Sequence, residues 1–153
     1  MIIVVQRVLE ASVSVDDRVV GEIGRGLLLL IGIAEGDTPE DIDFLAEKCV
    51  HLRIFEDENG KMNRSLLDVN GEILAISQFT LLGNTKKGRR PSFIDAANPV
   101  KGEDYYNQFI TKLRTYQVPV QCGIFGAMME VSLINHGPVT LILESKNQPT
   151  STN

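Results

Sequence analysis

Three stretches of the sequence carry residue types that could do chemistry, and none of them is a familiar catalytic cluster. Ser77-Gln78-Phe79-Thr80 sets two hydroxyls, an amide and an aromatic ring side by side. "KKGRRPSF" crowds Lys86, Lys87, Arg89 and Arg90 into five residues, a density that suits a solvated loop and is also what phosphate contacts require. Gly137-Pro138 stands between the apolar runs "SLIN" and "VTLILES". Proline cannot donate to a sheet ladder and glycine weakens a strand, so the pair is expected to end the strand before it.

The usual signatures of nucleophilic or metal chemistry are missing. Of the two histidines, His51 falls late in a helical pattern, where a surface role is expected, and His136 is a candidate only through its place beside the Gly-Pro pair. No His or His/carboxylate spacing suits a metal, and no G-x-S-x-G elbow or phosphate-binding glycine loop occurs. Cys49 and Cys122 lie far apart and fit neither a metal nor a redox motif. Cys49 falls on the apolar face of a helical pattern and reads as a reduced core residue. Neither metal nor cofactor is expected.

The elements that must position these groups read as mainly strands. "MIIVVQRVL", "ASVSVD", "RVVGEIG" and "GLLLLIGIA" succeed one another, with a turn at Asp16-Asp17. "LLLLIGI" is apolar on both faces, as a central buried strand would be. "GDTPEDIDFLAEKCVHLRIF" reads as a helix: Thr38 as N-cap, Pro39 at the first position, Asp41 closing a short capping box, and Ile42, Leu45, Ala46, Cys49 and Leu52 on one face. "EILAISQFTLL" reads as a second buried strand, putting Ser77–Thr80 in its C-terminal half. Residues 83–100 read as one long loop, a length that is usually functional or disordered. A second helix covers roughly 102–117, with Tyr105, Tyr106, Phe109, Ile110 and Leu113 inward, before the strands "AMMEVSLIN" and "VTLILES". The expectation is a single α+β domain over 1–146, a curled, barrel-like, mostly antiparallel sheet with two main helices. Residues 147–153 are expected to be a flexible tail.

Totals set the outer bounds. A chain of 153 residues, 43% hydrophobic, can bury a sizeable core. A net charge of -5 argues against a protein that coats nucleic acid generally, while leaving room for a small basic site. The N-terminal stretch has a charge at Arg7 and no basic leader or small-residue cleavage site, and no apolar run approaches a membrane span. A cytoplasmic location without membrane contact is expected.

Together the three stretches resemble the D-aminoacyl-tRNA deacylase family. The resemblance runs nearly the whole chain: "QRV" at 6–8, "ASV" at 11–13, "GEIG.GLLLLIGI" at 21–33, "RIF.DENGKMN" at 53–63, "SQFTL" at 77–81, "GRRPSF" at 88–93, "FGAMMEVSLIN" at 125–135 and "GPVT" at 137–140. His136 departs from the pattern, where relatives commonly carry Asp. The resemblance implies hydrolysis of the ester of D-aminoacyl-tRNA, and of glycyl-tRNA, at its acceptor end, by a homodimer with two sites at the subunit interface. Each site would receive the partner's Gly137-Pro138, joined by a cis peptide bond, as a filter that leaves no room for an L side chain. It further implies that Ser77 and Gln78 shape the pocket, and that backbone N–H groups around Phe79 and Thr80 hold the oxyanion. Phe79 and Met129 would lie near the terminal adenine, Arg7 would buttress the Gly-Pro loop, and the 86–90 cluster would meet phosphates. Two rivals stay open: covalent attack by Thr80 or Ser77, and a non-catalytic RNA-binding module.

Overall fold

Apolar alternation along Ile2–Val15 builds one long strand, β1, where two short ones were expected. The computed structural model, which describes residues 1–146, bends this strand between two partners. Its first half pairs antiparallel with β3 (Gly26–Gly32) and its second half with β2 (Arg18–Ile23). The β1–β2 hairpin turns at Asp16 and Asp17, both at positive φ, which Asp tolerates better than most residues. Along its other edge β1 pairs with β8 (Glu130–Glu144) from end to end.

β8 is also one strand rather than two. Gly137-Pro138 does not terminate it; the pair sits in a bulge, where Arg7 alone on β1 faces residues 136–139 on β8. A bulge absorbs the missing donor and lets the pairing resume beyond it.

The sheet is mostly antiparallel, as expected, through the three partners of β1, but it is also mixed. β6 (Glu72–Ser77) runs parallel to β3, and β7 (Val120–Cys122), a strand the sequence reading did not anticipate, runs parallel to β6. Each helix lies in the connection between two parallel neighbours: α1 (Pro39–His51) between β3 and β6, and α2 (Pro99–Arg114) between β6 and β7. The small hairpin β4 (Phe55–Glu56) and β5 (Met62–Arg64) follows α1. The sheet order β2-β1-β3-β6-β7 curls until β2 approaches β7, where a side chain on Gly21 would meet the Cys122 carbonyl at 2.8 Å. The result is a nearly closed barrel.

That curl divides the core in two. Leu27, Leu29 and Ile31 of β3, with Ile73 and Ala75 of β6, face the helices and pack on Leu45, Cys49, Phe109 and Leu113. Leu28, Leu74 and Ile76 face the barrel interior, with Val8, Ala11 and Val13 of the bent β1. The leucine run is thus buried on both faces, as read from the sequence. α1 begins as expected: Asp41 Oδ2 accepts the Thr38 N–H at 2.7 Å. α2 begins three residues earlier than expected, because the Asn98 side chain caps the Lys101 N–H and Pro99 takes the first position. Burial pushes the Cys49 thiol up to about 12, so it stays a protonated core residue. The expected tail, 147–153, lies outside the described residues. No helix among those residues is long and apolar enough to cross a membrane.

Candidate active site

Gln78 marks the end of the ladder. Its N–H makes the last bond of the β3–β6 pairing, to the Ile31 carbonyl at 2.7 Å, and the chain then leaves the sheet. Residues Phe79–Leu82 form a 3₁₀ turn, so "SQFTLL" is not the continuous strand expected from its apolar pattern. The physical reason is Gly32. β3 ends there, and Leu81 and Leu82 fold back over the bare glycine, where any Cβ would meet Leu81 Cβ at 3.0 Å. Ser77 stays on the strand end, half-buried.

The turn changes what its residues can do. Phe79 is 58% exposed rather than a core residue, and its ring stands edge-on to Phe93 at 5.2 Å. Thr80 is exposed, and its hydroxyl accepts from Gln78 Nε2 at 3.1 Å, with no histidine or carboxylate as partner among the described residues. The amides of Phe79 and Thr80 open the 3₁₀ turn, and groups in that position have no acceptor within it. Amides at the start of such a turn, beside an exposed aromatic face, can hold a developing oxyanion next to a stacked ring.

The basic cluster rises directly from this turn. Asn84 and Ser92 exchange backbone bonds, N–H to O at 2.7 and 2.9 Å, and close a neck beneath Lys86, Lys87, Arg89 and Arg90, all exposed. Gly88 reverses the chain at φ 67°. Beyond the neck, the Ala97 N–H bonds the Ile33 carbonyl and the Glu35 N–H bonds the Asp95 carbonyl, so residues 83–100 are pinned to the domain rather than free. Phe93 was legible only as part of "GRRPSF"; no spacing rule pairs it with Phe79.

Met129 lies half-buried against the barrel cluster, over Gly123 and beside Ile76, one residue before Ser77. Arg7 lies elsewhere. It is 4% exposed; Nε donates to the His136 carbonyl at 3.1 Å and Nη1 to the Ile54 carbonyl at 2.8 Å. It therefore holds the residue before the Gly-Pro pair rather than the carbonyls of the pair itself. Gly137-Pro138 is cis, and Gly137 has φ 126°, a value that favours glycine. His136 points its side chain to solvent and serves through its carbonyl, while His51 ends α1 with its ring edge-on to Tyr116.

One chain does not bring the pair and the turn together. Arg7 lies level with Leu27 on β3 and Leu27 with Ile73 on β6, whereas Ser77 lies level with Ile31. β8, β1, β3 and β6 stand side by side, so the pair and the turn are three strand spacings apart along the sheet, roughly 14 Å, and four residues apart along the strands, roughly 13 Å.

Residues 4–144 match the family model described as D-Tyr-tRNA(Tyr) deacylase. The chain belongs to that family. It is 60% identical over 146 residues to the D-aminoacyl-tRNA deacylase of Sulfurihydrogenibium sp., covering 95% of this chain and 99% of that one. It is 57% identical over 143 residues to the D-aminoacyl-tRNA deacylase of Clostridium acetobutylicum, covering 94% and 96%. Among solved structures, the c-Myc DNA unwinding element binding protein superposes with a TM-score of 0.90 at 42% identity, over 96% of this chain and 100% of that one. A probable eukaryotic D-amino acid tRNA deacylase superposes with a TM-score of 0.80 at 20% identity, over 93% and 97%, which shows the shared fold. As a member of the D-Tyr-tRNA(Tyr) deacylase family the chain is a deacylase, and the Phe79–Leu82 turn is its candidate site of hydrolysis.

Proposed function

We propose that this chain hydrolyses the ester between a D-amino acid and the terminal ribose of tRNA, accepts the achiral glycyl ester, and rejects L-aminoacyl-tRNA. It works as a homodimer in which Gly137-Pro138 of one copy closes the site around Ser77–Thr80 of the other. The observation that carries this reading is the separation of the two motifs along the sheet: a second copy can supply the pair that one chain keeps away from its own turn. Exposed apolar side chains on and just before β8, Met128, Ile134 and Ile142 among them, leave apolar surface that a second copy can cover.

In the reaction water attacks the ester carbonyl, and the Phe79 and Thr80 amides receive the oxyanion. Among the described residues no histidine or carboxylate is hydrogen-bonded to Thr80 to act as base. The substrate's own 2′-hydroxyl positions the water by hydrogen bonding. As the tetrahedral intermediate collapses, the ester C–O bond breaks, the ribose oxygen leaves with the proton the water gives up, and free amino acid and tRNA result. Ser77 and Gln78 line the pocket, Phe79 and Met129 contact the terminal adenine, and Lys86, Lys87, Arg89 and Arg90 hold acceptor-stem phosphates without reading sequence. The backbone at Gly137 and Pro138 crowds the α-carbon on the side an L side chain would occupy, so selectivity is by exclusion. Working on charged tRNA, the enzyme belongs in the cytoplasm.

The test is deacylation of D-Tyr-, L-Tyr- and Gly-tRNA in parallel, with the oligomeric mass measured at micromolar protein. D-Tyr and Gly esters should be cleaved and L-Tyr spared, by a dimer. Equal rates on D- and L-Tyr-tRNA, or a fully active monomer, would overturn the reading. Tight nucleic-acid binding without hydrolysis would point instead to the activity named for the c-Myc DNA unwinding element binding protein.

A further inference from the structure

The hairpin β4–β5 has no part in the chemistry above, yet "RIF.DENGKMN" spans it. It is built tightly for an exposed two-stranded ribbon. Asp57 Oδ1 accepts the Asn59 and Lys61 N–H groups at 2.9 and 3.0 Å, and Asp57 Oδ2 accepts from Asn63 Nδ2 at 2.8 Å. The Arg53 guanidinium then forks onto Asn63, Nε to the backbone carbonyl at 3.0 Å and Nη2 to Oδ1 at 2.9 Å. This fixes the second strand of the hairpin against the chain just before the first. Ile54 lies between that fork and the buried Phe55, and its carbonyl is the one that Arg7 Nη1 holds.

Arg7 also needs its charge offset, because a buried guanidinium without a counter-charge is costly. The one carboxylate paired with it among the described residues is Glu56, in the same hairpin, with Oε1 3.9 Å from Nη2. The hairpin thus supplies the charge that faces Arg7, and Ile54, just before it, the carbonyl that orients it, while Arg7 Nε donates to the His136 carbonyl, next to Gly137.

We infer that the β4–β5 hairpin is the positioning platform of the Gly137-Pro138 loop, acting through Arg7, with Glu56 and the Arg53–Asn63 fork as its positioning residues. The inference rests on the filter reading proposed above. None of these side chains touches substrate. They fix the height and tilt of the loop, and a displacement near 1 Å at such a place costs turnover up to about a hundredfold.

The experiment compares Glu56→Gln, Asn63→Ala, Arg7→Lys, the double variant Arg7→Lys/Glu56→Gln and Gly137→Ala, each assayed on D-Tyr- and L-Tyr-tRNA with kcat and KM separated. Both Glu56 and Asn63 are exposed, so folding is expected to survive, and thermal unfolding checks it. Glu56→Gln and Asn63→Ala should each lower kcat on the D-ester about tenfold and narrow the D/L ratio, with KM unchanged. Arg7→Lys and Glu56→Gln should be strongly non-additive, since one acts through the other. If Gly137→Ala disturbs D-ester turnover while Glu56→Gln and Asn63→Ala behave as wild type, the hairpin inference fails and the filter stands. If Gly137→Ala leaves both turnover and the D/L ratio untouched, the filter reading fails and takes this inference with it. Additive losses from Arg7→Lys and Glu56→Gln would likewise overturn it.

Discussion

Arg7 and His136 are bound to each other by side chain and backbone: the buried guanidinium donates through Nε to the carbonyl one residue before Gly137, at 3.1 Å. An arginine used in this way cannot be replaced by a point charge, because its fork also spans to Ile54. Arg7→Ala would leave two carbonyls without their donor, each costing about 1–3 kcal/mol where buried. The variant should unfold at clearly lower urea and lose D-ester turnover; wild-type values of both would remove Arg7 from the site.

Gly137→Ala should damage turnover of D-Tyr-tRNA without creating an L-deacylase. At φ 126° an L residue is strained, and its Cβ would lie 2.8 Å from Val139 Cγ2 and 3.0 Å from Arg7 Nη2. Parallel single-turnover rates on the two enantiomers check this, and a gain on L-Tyr-tRNA larger than the loss on D-Tyr-tRNA would contradict it.

Thr80→Ala should stay within about tenfold of wild type, or roughly 1.4 kcal/mol of barrier. Its hydroxyl accepts from Gln78 and is bonded to no base among the described residues, whereas its amide survives the substitution. A loss of several orders of magnitude, with an acyl-enzyme trapped in wild type, would make Thr80 the nucleophile.

Neutralising Lys86, Lys87, Arg89 and Arg90 together should raise KM and flatten its salt dependence, with kcat and thermal stability little changed. The stability expectation follows from the closed neck below the cluster, which none of the four residues helps to form through its side chain. An unchanged salt slope would show that the cluster is solvent-facing only.

Acid stability should depend on Asp41. Burial raises its pKa, but the Thr38 N–H, the Ser145 hydroxyl and the Lys146 charge outweigh that and hold the carboxyl below its ordinary range. A depressed folded value contributes stability that is complete above the unfolded pKa and disappears as pH falls through the folded one. Asp41→Asn should therefore flatten the fall of Tm with pH below about pH 5. Parallel slopes in the two proteins would exclude the effect.

Much of this was legible in the residues, and the failures share a cause. Local signals worked where local physics decides: Thr38-Pro39 for α1, Asp16-Asp17 for the hairpin, a leucine run for the doubly buried β3. "SQFT" was given the wrong backbone, because the strand stops where its neighbour stops, at Gly32, and a neighbour's length cannot be read locally. The parallel β3–β6 and β6–β7 pairs were missed for the same reason, since pairing direction is a property of the crossover rather than of either strand. Gly137-Pro138 looked like an ending because the rule for proline in strands does not foresee a bulge held open by an arginine on the next strand.

The neck formed by Asn84 and Ser92 has a consequence for how such a protein can diversify. Because both backbone bonds belong to the neck and not to the loop above it, residues 85–91 form an interchangeable cassette, joined to the domain through one fixed doorway. Insertions, deletions or reversals of charge inside the cassette can change its surface chemistry while the turn below keeps its shape. Loop chemistry and turn geometry can then evolve at different speeds within one short stretch of chain.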